Sequence, residues 1–241
     1  MSIWGSLIGG MIGLSLGGPF GMLLGSLLGG KISKLRTSQG FSTAAQSQKI
    51  FALSLIVLSA KLCKADGQVS REELIAVKDK LKIPESELDE VGKIFNQAKN
   101  EEASYEPYAQ QIARFYSGHL NVLEEVINIL FYIAESDGSV SLEEFTMIQN
   151  IANIFGLNET QFKSIAESRK SSDKLNPYVV LKSKPGDDLK IIRKRYLKLS
   201  KEHHPDLLMS KGVPEEVIAE SKKTMRAINL AWDQIQKLKS S

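Results

Sequence analysis

The sequence predicts an all-α protein, and three observations support this fold class. Apolar residues recur at intervals of three and four between positions 49 and 169, which is the period of helices that bury one face. The alternation typical of half-buried strands is not found in the same stretch. The first 30 residues carry no charged side chain, as in a helix that crosses a membrane. We therefore expect a single N-terminal transmembrane helix, a helical bundle and a C-terminal helical hairpin.

Charge is distributed unevenly along the 241 residues, although the formal net charge is only +3. Residues 1–30 are uncharged and residues 31–48 carry +3, whereas residues 49–170 carry −6 and residues 171–241 carry +6. This distribution excludes a single uniform globular domain. It predicts a membrane anchor, a basic flank with a linker, an acidic helical domain and a basic domain over these four ranges.

The N-terminal apolar segment is long enough to cross a bilayer. Ile3 to Gly30 is a run of 28 uncharged residues. A helix of that length extends about 42 Å, against a hydrocarbon core of about 30 Å. A signal peptide is the alternative, but no basic residue precedes the run, and the run exceeds a signal-peptide core. We therefore favour a transmembrane anchor.

Glycines recur at every fourth position of this segment and would form a ridge of small residues along one helix face. Such ridges allow close helix packing in lipid, which predicts a homodimer. Alternatively, they only reflect the general frequency of glycine in membrane spans. Gly17-Gly18-Pro19 could instead kink the helix or divide it into a re-entrant hairpin. The predicted dimer face consists of Gly5, Gly9, Gly13, Gly17, Gly21, Gly25 and Gly29.

Three basic residues follow the apolar segment directly: Lys31, Lys34 and Arg36. By the positive-inside rule this flank is cytoplasmic. The short N-terminus is then expected outside, and most of the chain in the cytosol. Residues 37–48 are small and polar, and they are predicted to form a linker.

Two segments of the middle domain resemble each other, Lys64–Leu74 and Glu135–Phe145. Each contains Asp-Gly-x-Val-Ser, which predicts a turn because glycine accepts positive φ. Ser70 with Glu73, and Ser141 with Glu144, have the spacing of capping boxes that begin the next helix.

The same loops have an alternative interpretation as metal sites. Counted as EF-hand loops, they place Asp66 and Glu73, or Asp137 and Glu144, at ligand positions 5 and 12. Position 1 is apolar in both loops, so each has only half of a calcium site. Helix capping is therefore the favoured interpretation, and we predict neither a metal site nor a cofactor.

Catalytic constellations are also lacking in the sequence. Cys63, the one cysteine, excludes an internal disulfide and a cysteine zinc site, and its apolar surroundings predict a small buried hydrophobe. No Ser/His/Asp or Cys/His set is visible among the three histidines and their neighbours. We therefore do not expect an enzyme.

Two amphipathic helices are predicted near the C-terminus, joined by a loop that contains His-Pro-Asp. The run Pro185-Gly-Asp-Asp188 breaks the chain and caps the first helix, which ends at His203-His204-Pro205-Asp206. Pro205 cannot continue it and disfavours the helical conformation of His204. The second begins at about Pro214, a favourable first-turn residue. One face of the first helix is basic, and its predicted partner-binding residues are Lys190, Arg193, Lys194, Lys198 and Lys201.

Residues 175–238 resemble the J domain of DnaJ-type co-chaperones. The resemblance implies docking on an ATP-bound DnaK-type 70-kDa heat-shock chaperone and stimulation of its ATP hydrolysis, with His204, Pro205 and Asp206 as the triggering loop. The basic helix would complement an acidic patch on the partner, and nucleic-acid binding is not expected. The chain departs from the family at Arg195 and Leu207. The matching residues are Tyr178, Leu181, the Ile192–Leu199 helix, the tripeptide, and Ala227–Trp232.

The repeated Asp-Gly-x-Val-Ser-x-Glu-Glu unit resembles the TerB-like domain over roughly residues 50–168. A glycine-rich anchor, a TerB-like domain and a terminal J domain, in this order, resemble the DjlA type of membrane-anchored DnaJ-like co-chaperones. This resemblance implies a bacterial inner-membrane protein with a cytoplasmic J domain. The alternative is a metal-responsive or envelope-signalling adaptor in which the TerB-like domain is the main module.

Overall fold

The computed structural model describes residues 44–67, 69–170, 175–211, 213 and 215–240, and every regular element within these ranges is helical. The all-α prediction is confirmed. The helices are α1 (Ala44–Leu62), α2 (Arg71–Lys80), α3 (Leu88–Asn100), α4 (Glu106–Phe115), α5 (Leu120–Ala134), α6 (Leu142–Ile154), α7 (Glu159–Ser168), α8 (Pro177–Val180), α9 (Leu189–Glu202), α10 (Pro205–Met209) and α11 (Glu215–Ser240), with a 3₁₀ turn at Glu85–Glu87.

The predictions for the N-terminal segment lie outside the described residues. These are the transmembrane helix, its glycine face, its orientation and the alternative break at Gly17-Gly18-Pro19. Among the described residues, no helix combines the length and apolarity that a membrane crossing requires. One boundary is corrected, because α1 begins at Ala44 and residues 44–48 are therefore helical, not linker.

The chain divides into two compact units. Of the described residues, those up to 117 and those from 130 to 155 form the first unit, and those from 118 to 129 and from 156 onward form the second. The first ten residues of α5 and the whole of α7 thus belong to the second unit. The charge pattern of the sequence placed both helices in the acidic domain, residues 49–170. The end of that domain at residue 170 stays a prediction.

The first unit is built around α1, which packs against α3, α4 and α6. The side chains of α1 from Phe51 to Ala60 are all buried, so this stretch of the helix is enclosed by the unit around its whole circumference. Phe51 meets Tyr116 edge to face, with ring centroids 5.3 Å apart.

Both repeated loops of the first unit have the predicted geometry. Gly67 and Gly138 adopt φ values of +94° and +113°, which side chains rarely tolerate. The Glu73 carboxylate accepts from the Ser70 amide at 2.7 Å, while the Ser70 hydroxyl accepts from the Glu73 amide at 3.0 Å. Ser141 and Glu144 form the same reciprocal pair at 2.9 and 3.2 Å. The predicted capping boxes are confirmed.

These loops gather no cation site within the described part of the chain. Asp66 and Asp137 are exposed, whereas Glu73 and Glu144 are buried and hydrogen-bonded to the N-cap residues Ser70 and Ser141. No group of three or more His, Cys, Asp and Glu side chains within the described ranges is arranged to hold a metal ion. Cys63 is fully buried, as predicted, and burial together with the nearby Glu73 raises the pKa of its thiol.

The second unit has its own apolar core. The long helix α11 packs against α7, α8, α9 and α10. Asp188 caps α9 as predicted by accepting from the Lys190 amide at 2.7 Å. Tyr196 stacks on Trp232 with ring centroids 5.1 Å apart. The core consists of Leu175, Val180, Leu181, Ile192, Leu199, Ile228, Ala231, Trp232 and Ile235.

Candidate functional site

The basic face of α9 is exposed to solvent, as the sequence predicts for a docking surface. Leu197 lies among these cations and is itself 54% exposed. Arg195 is the exception among the basic residues of α9, because it is half-buried and its guanidinium contacts Asp187 at 2.5 Å. The exposed cations are Lys190, Arg193, Lys194, Lys198 and Lys201.

The His-Pro-Asp tripeptide begins a short helix that the sequence did not predict. His204 is the N-cap of α10 with extended backbone angles, and Pro205 occupies the first helical position. The His204 Nδ1 accepts a hydrogen bond from the Asp206 amide at 3.3 Å. The side chains of His204 and Asp206 are 52% and 75% exposed. Both are accessible to a partner.

The preceding histidine has the opposite environment. His203 ends α9 and is 3% exposed, between two consecutive glutamates of α5. Its Nε2 lies 3.0 Å from Glu124 Oε2, and its Nδ1 lies 2.9 Å from Glu125 Oε1. Because each ring nitrogen faces a carboxylate oxygen, both nitrogens must donate, and only the imidazolium does so.

The remaining carboxylate oxygens of this cluster also have partners. Glu124 Oε1 accepts from Lys182 Nζ at 3.1 Å and from Gln161 Nε2 at 2.8 Å. Glu125 Oε2 accepts from the Thr224 hydroxyl at 2.8 Å and from Asn128 Nδ2 at 3.1 Å. Two cations therefore balance two anions in a network with every carboxylate oxygen satisfied.

The network changes the acidity of its members. Burial favours neutral His203, but the hydrogen bonds that its ring donates to Glu124 and Glu125 outweigh burial and raise its pKa to about 9. Burial likewise opposes ionisation of Glu124, but His203 and Lys182 outweigh it and lower its pKa to about 2. His203 and Glu124 are therefore both charged throughout the neutral pH range.

An open cleft of about 660 Å³ lies in the second unit beside Leu207. Lys198, Lys211 and Arg195 are among the cations that line it, with Glu202 as one of its anions. These cations therefore lie near the tripeptide, whose next residue Leu207 lines the same cleft.

Comparison with known proteins agrees with this organisation. The model for the co-chaperone DjlA transmembrane domain matches residues 1–41, and the model for tellurite resistance protein TerB matches residues 52–167. Several relatives named co-chaperone protein DjlA match this chain along nearly the whole length of both proteins. That of Photobacterium profundum is 25% identical over 98% of this chain and 99% of its own. That of Escherichia coli (strain K12) is 25% identical over 99% of both chains. The chain belongs to the DjlA type of co-chaperones.

A third relative, the co-chaperone protein DjlA of Vibrio parahaemolyticus, is 27% identical over 85% of this chain and 86% of its own. No solved structure matches the chain. The transmembrane-domain match and the DjlA relatives make this DjlA-type protein a membrane-anchored co-chaperone. The anchor was predicted from the glycine-rich segment. The predicted resemblance to a TerB-like domain is confirmed by the match, and the limits of the domain stay a prediction.

The buried network of this DjlA-type chain was not predicted from its sequence. Glu124 and Glu125 are the charged residues of a largely apolar helix, and this is the signal in the sequence that points to them. Their partner His203 lies 78 positions from Glu125, so no local spacing connects them. The predicted tripeptide and basic residues, in contrast, come together in the second unit because they are neighbours in sequence.

Proposed function

We propose that this DjlA-type co-chaperone stimulates ATP hydrolysis by a cytosolic DnaK-type 70-kDa heat-shock chaperone through its C-terminal J-like segment. The observation that carries the proposal is the position of the His204-Pro205-Asp206 tripeptide directly after the exposed basic face of α9, with the side chains of His204 and Asp206 exposed. The segment supplies binding surfaces only, and the hydrolysis takes place on the partner.

Charge complementarity supports this assignment of roles. Exposed lysines and arginines on α9 attract an acidic patch and accelerate encounter. Leu197 offers an apolar contact among them once the partner displaces water. The exposed Asp206 carboxylate is available to a cation of the chaperone.

The experiment measures single-turnover ATP hydrolysis by a DnaK-type chaperone in the presence of the full chain in lipid nanodiscs. The wild-type chain is expected to raise the rate, and His204→Gln to abolish the increase. His119→Gln is the matched control, since His119 is also exposed. Equal stimulation by wild type and His204→Gln would overturn the proposal.

A charge reversal tests the basic face separately. Lys194→Glu is expected to raise the concentration for half-maximal stimulation, with the difference shrinking at high salt because salt screens exposed charges. Lys222→Glu on α11 is the control, because it has the same charge change at another exposed position of the second unit. Identical effects of the two variants would exclude α9 as the docking face.

We further propose that the anchor lies in the bacterial inner membrane as a homodimer, with the bulk of the chain cytoplasmic. The basic flank at Lys31, Lys34 and Arg36 supports this orientation. The recurrence of glycine at every fourth position supports close packing of two such helices. Gly17→Ile is expected to reduce crosslinking between copies in membranes, with Leu16→Ile as the control. Unchanged crosslinking would reject the glycine ridge as the dimer face.

A further inference from the structure

The buried network at His203 holds the helix end immediately before the tripeptide. His203 is the C-cap of α9, and the next residue, His204, starts α10. Because Glu124 and Glu125 each accept from one ring nitrogen, the imidazolium is fixed in both position and orientation. Moving it away would leave two buried carboxylates without that cation, which is strongly unfavourable.

A second group of contacts holds the chain on both sides of the tripeptide. Asn121, in the first turn of α5, donates from Nδ2 to the carbonyl of Glu202 at 2.6 Å. Its Oδ1 accepts from Lys211 Nζ at 3.0 Å. One side chain thus connects the last residue of α9 to the segment that follows α10.

These holding residues come from a distant part of the sequence. Asn121, Glu124 and Glu125 lie within residues 52–167, which the TerB model matches, whereas the tripeptide lies beyond that match. They nevertheless belong to the same compact unit as the tripeptide. The described second unit therefore combines the J-like segment with a piece of the TerB-matched segment.

We propose that Asn121, Glu124 and Glu125 are positioning residues that hold the His-Pro-Asp loop in the geometry needed to stimulate the chaperone. This inference rests on the proposed function. It adds a role for α5, a helix that lies outside the J-like segment. The residues act through His203 and Glu202, and they do not need to touch the partner.

The experiment compares variants of the full chain in nanodiscs, with single-turnover stimulation measured over a range of co-chaperone concentrations. Glu125→Gln keeps the shape of the side chain but removes the charge that faces His203. Stimulation at subsaturating concentration is expected to fall by about tenfold, the range for loss of a charged hydrogen bond. Glu159→Gln, an exposed glutamate of α7, is the matched control.

A double-variant cycle distinguishes positioning from general damage. If Glu125 acts through His203, Glu125→Gln should have little further effect in a His203→Gln background. Amide hydrogen exchange on the same samples should become about tenfold faster at residues 203–211 in Glu125→Gln, with α6 unchanged. Additive effects of the two substitutions on stimulation would overturn the inference.

A milder variant covers the case in which Glu125→Gln does not fold. Asn121→Ala leaves the buried ionic network intact and removes only the contacts to Glu202 and Lys211. It is expected to lower stimulation about threefold with faster exchange at residues 203–211. If the wild-type chain fails to stimulate, the proposed function is wrong. If wild type stimulates and Asn121→Ala and Glu125→Gln match it, the positioning role alone is wrong.

Discussion

Two pairs of buried glutamates, one pair in each unit, are stabilised in different ways. In the first unit, Glu73 and Glu144 accept from backbone amides three residues away. In the second unit, Glu124 and Glu125 accept from His203, about 80 positions along the chain. Local capping needs only a helix start, whereas the second pair needs the tertiary fold to deliver a cation.

The difference also appears in the acidity of the carboxyl groups. Burial raises the pKa of Glu144, since its hydrogen bonds from Ser141 only partly offset the loss of water. The pKa of Glu124 moves the other way, to about 2, because a buried imidazolium and Lys182 outweigh its burial. A glutamate in a capping box therefore stabilises the start of a helix. A glutamate paired with His203 connects two segments that are distant in the sequence.

The largest effect is expected when the cation of the long-range pair is removed. His203→Ala leaves two carboxylates buried without it and should lower the free energy of unfolding by about 3–5 kcal/mol. Urea unfolding followed by Trp232 fluorescence in a Trp4→Phe background measures the change. His119→Ala is the exposed control, and a loss below about 1 kcal/mol for His203→Ala would contradict the ionic network.

A smaller loss is expected from titrating the same histidine. Its pKa is raised from 6.5 to about 9 in the folded chain. The stabilisation is therefore complete below pH 6.5 and is lost as the pH rises through about 9, by about 2–3 kcal/mol. Urea unfolding at pH 6.5 and 9.5 measures it. In His203→Gln this decrease should disappear, and an equal decrease in both chains would assign it to other groups.

Removing a local cap should cost less again. Ser141→Ala deletes the hydroxyl that accepts from the Glu144 amide, and Ser70→Ala deletes its counterpart in the first repeat. Each is expected to lower the free energy of unfolding of the first unit by about 1 kcal/mol. Urea unfolding followed by hydrogen exchange at α2 and α6 measures this. A cost equal to that of His203→Ala would remove the distinction between local and long-range pairs.

The smallest effect is expected at an exposed ion pair. Lys198 and Glu202 are 3.8 Å apart, with side chains 73% and 44% exposed. Glu202→Gln should change stability by less than about 0.5 kcal/mol, because solvent screens such pairs. The backbone carbonyl that accepts from Asn121 remains in the variant. A loss above about 1 kcal/mol in urea unfolding would show that exposure is a poor guide to this pair.

Much of the fold was predictable because its signals are local. Capping boxes need two residues at a spacing of three, and Gly67 and Gly138 each follow an aspartate in a turn. The end of α9 before Pro205 follows from the covalent geometry of proline. The helix at Pro205–Met209 was missed, because five residues are too few to show a helical period.

The longer helices, the two capping boxes and the basic face of α9 could be predicted from the sequence, because these features depend on residues within one or two turns of each other. The opposite environments of His203 and His204, which are identical in type and adjacent in the chain, could not be predicted in this way. The physical reason is that a buried charge is tolerated only beside its partners, and Glu124 and Glu125 reach His203 only when the chain has folded.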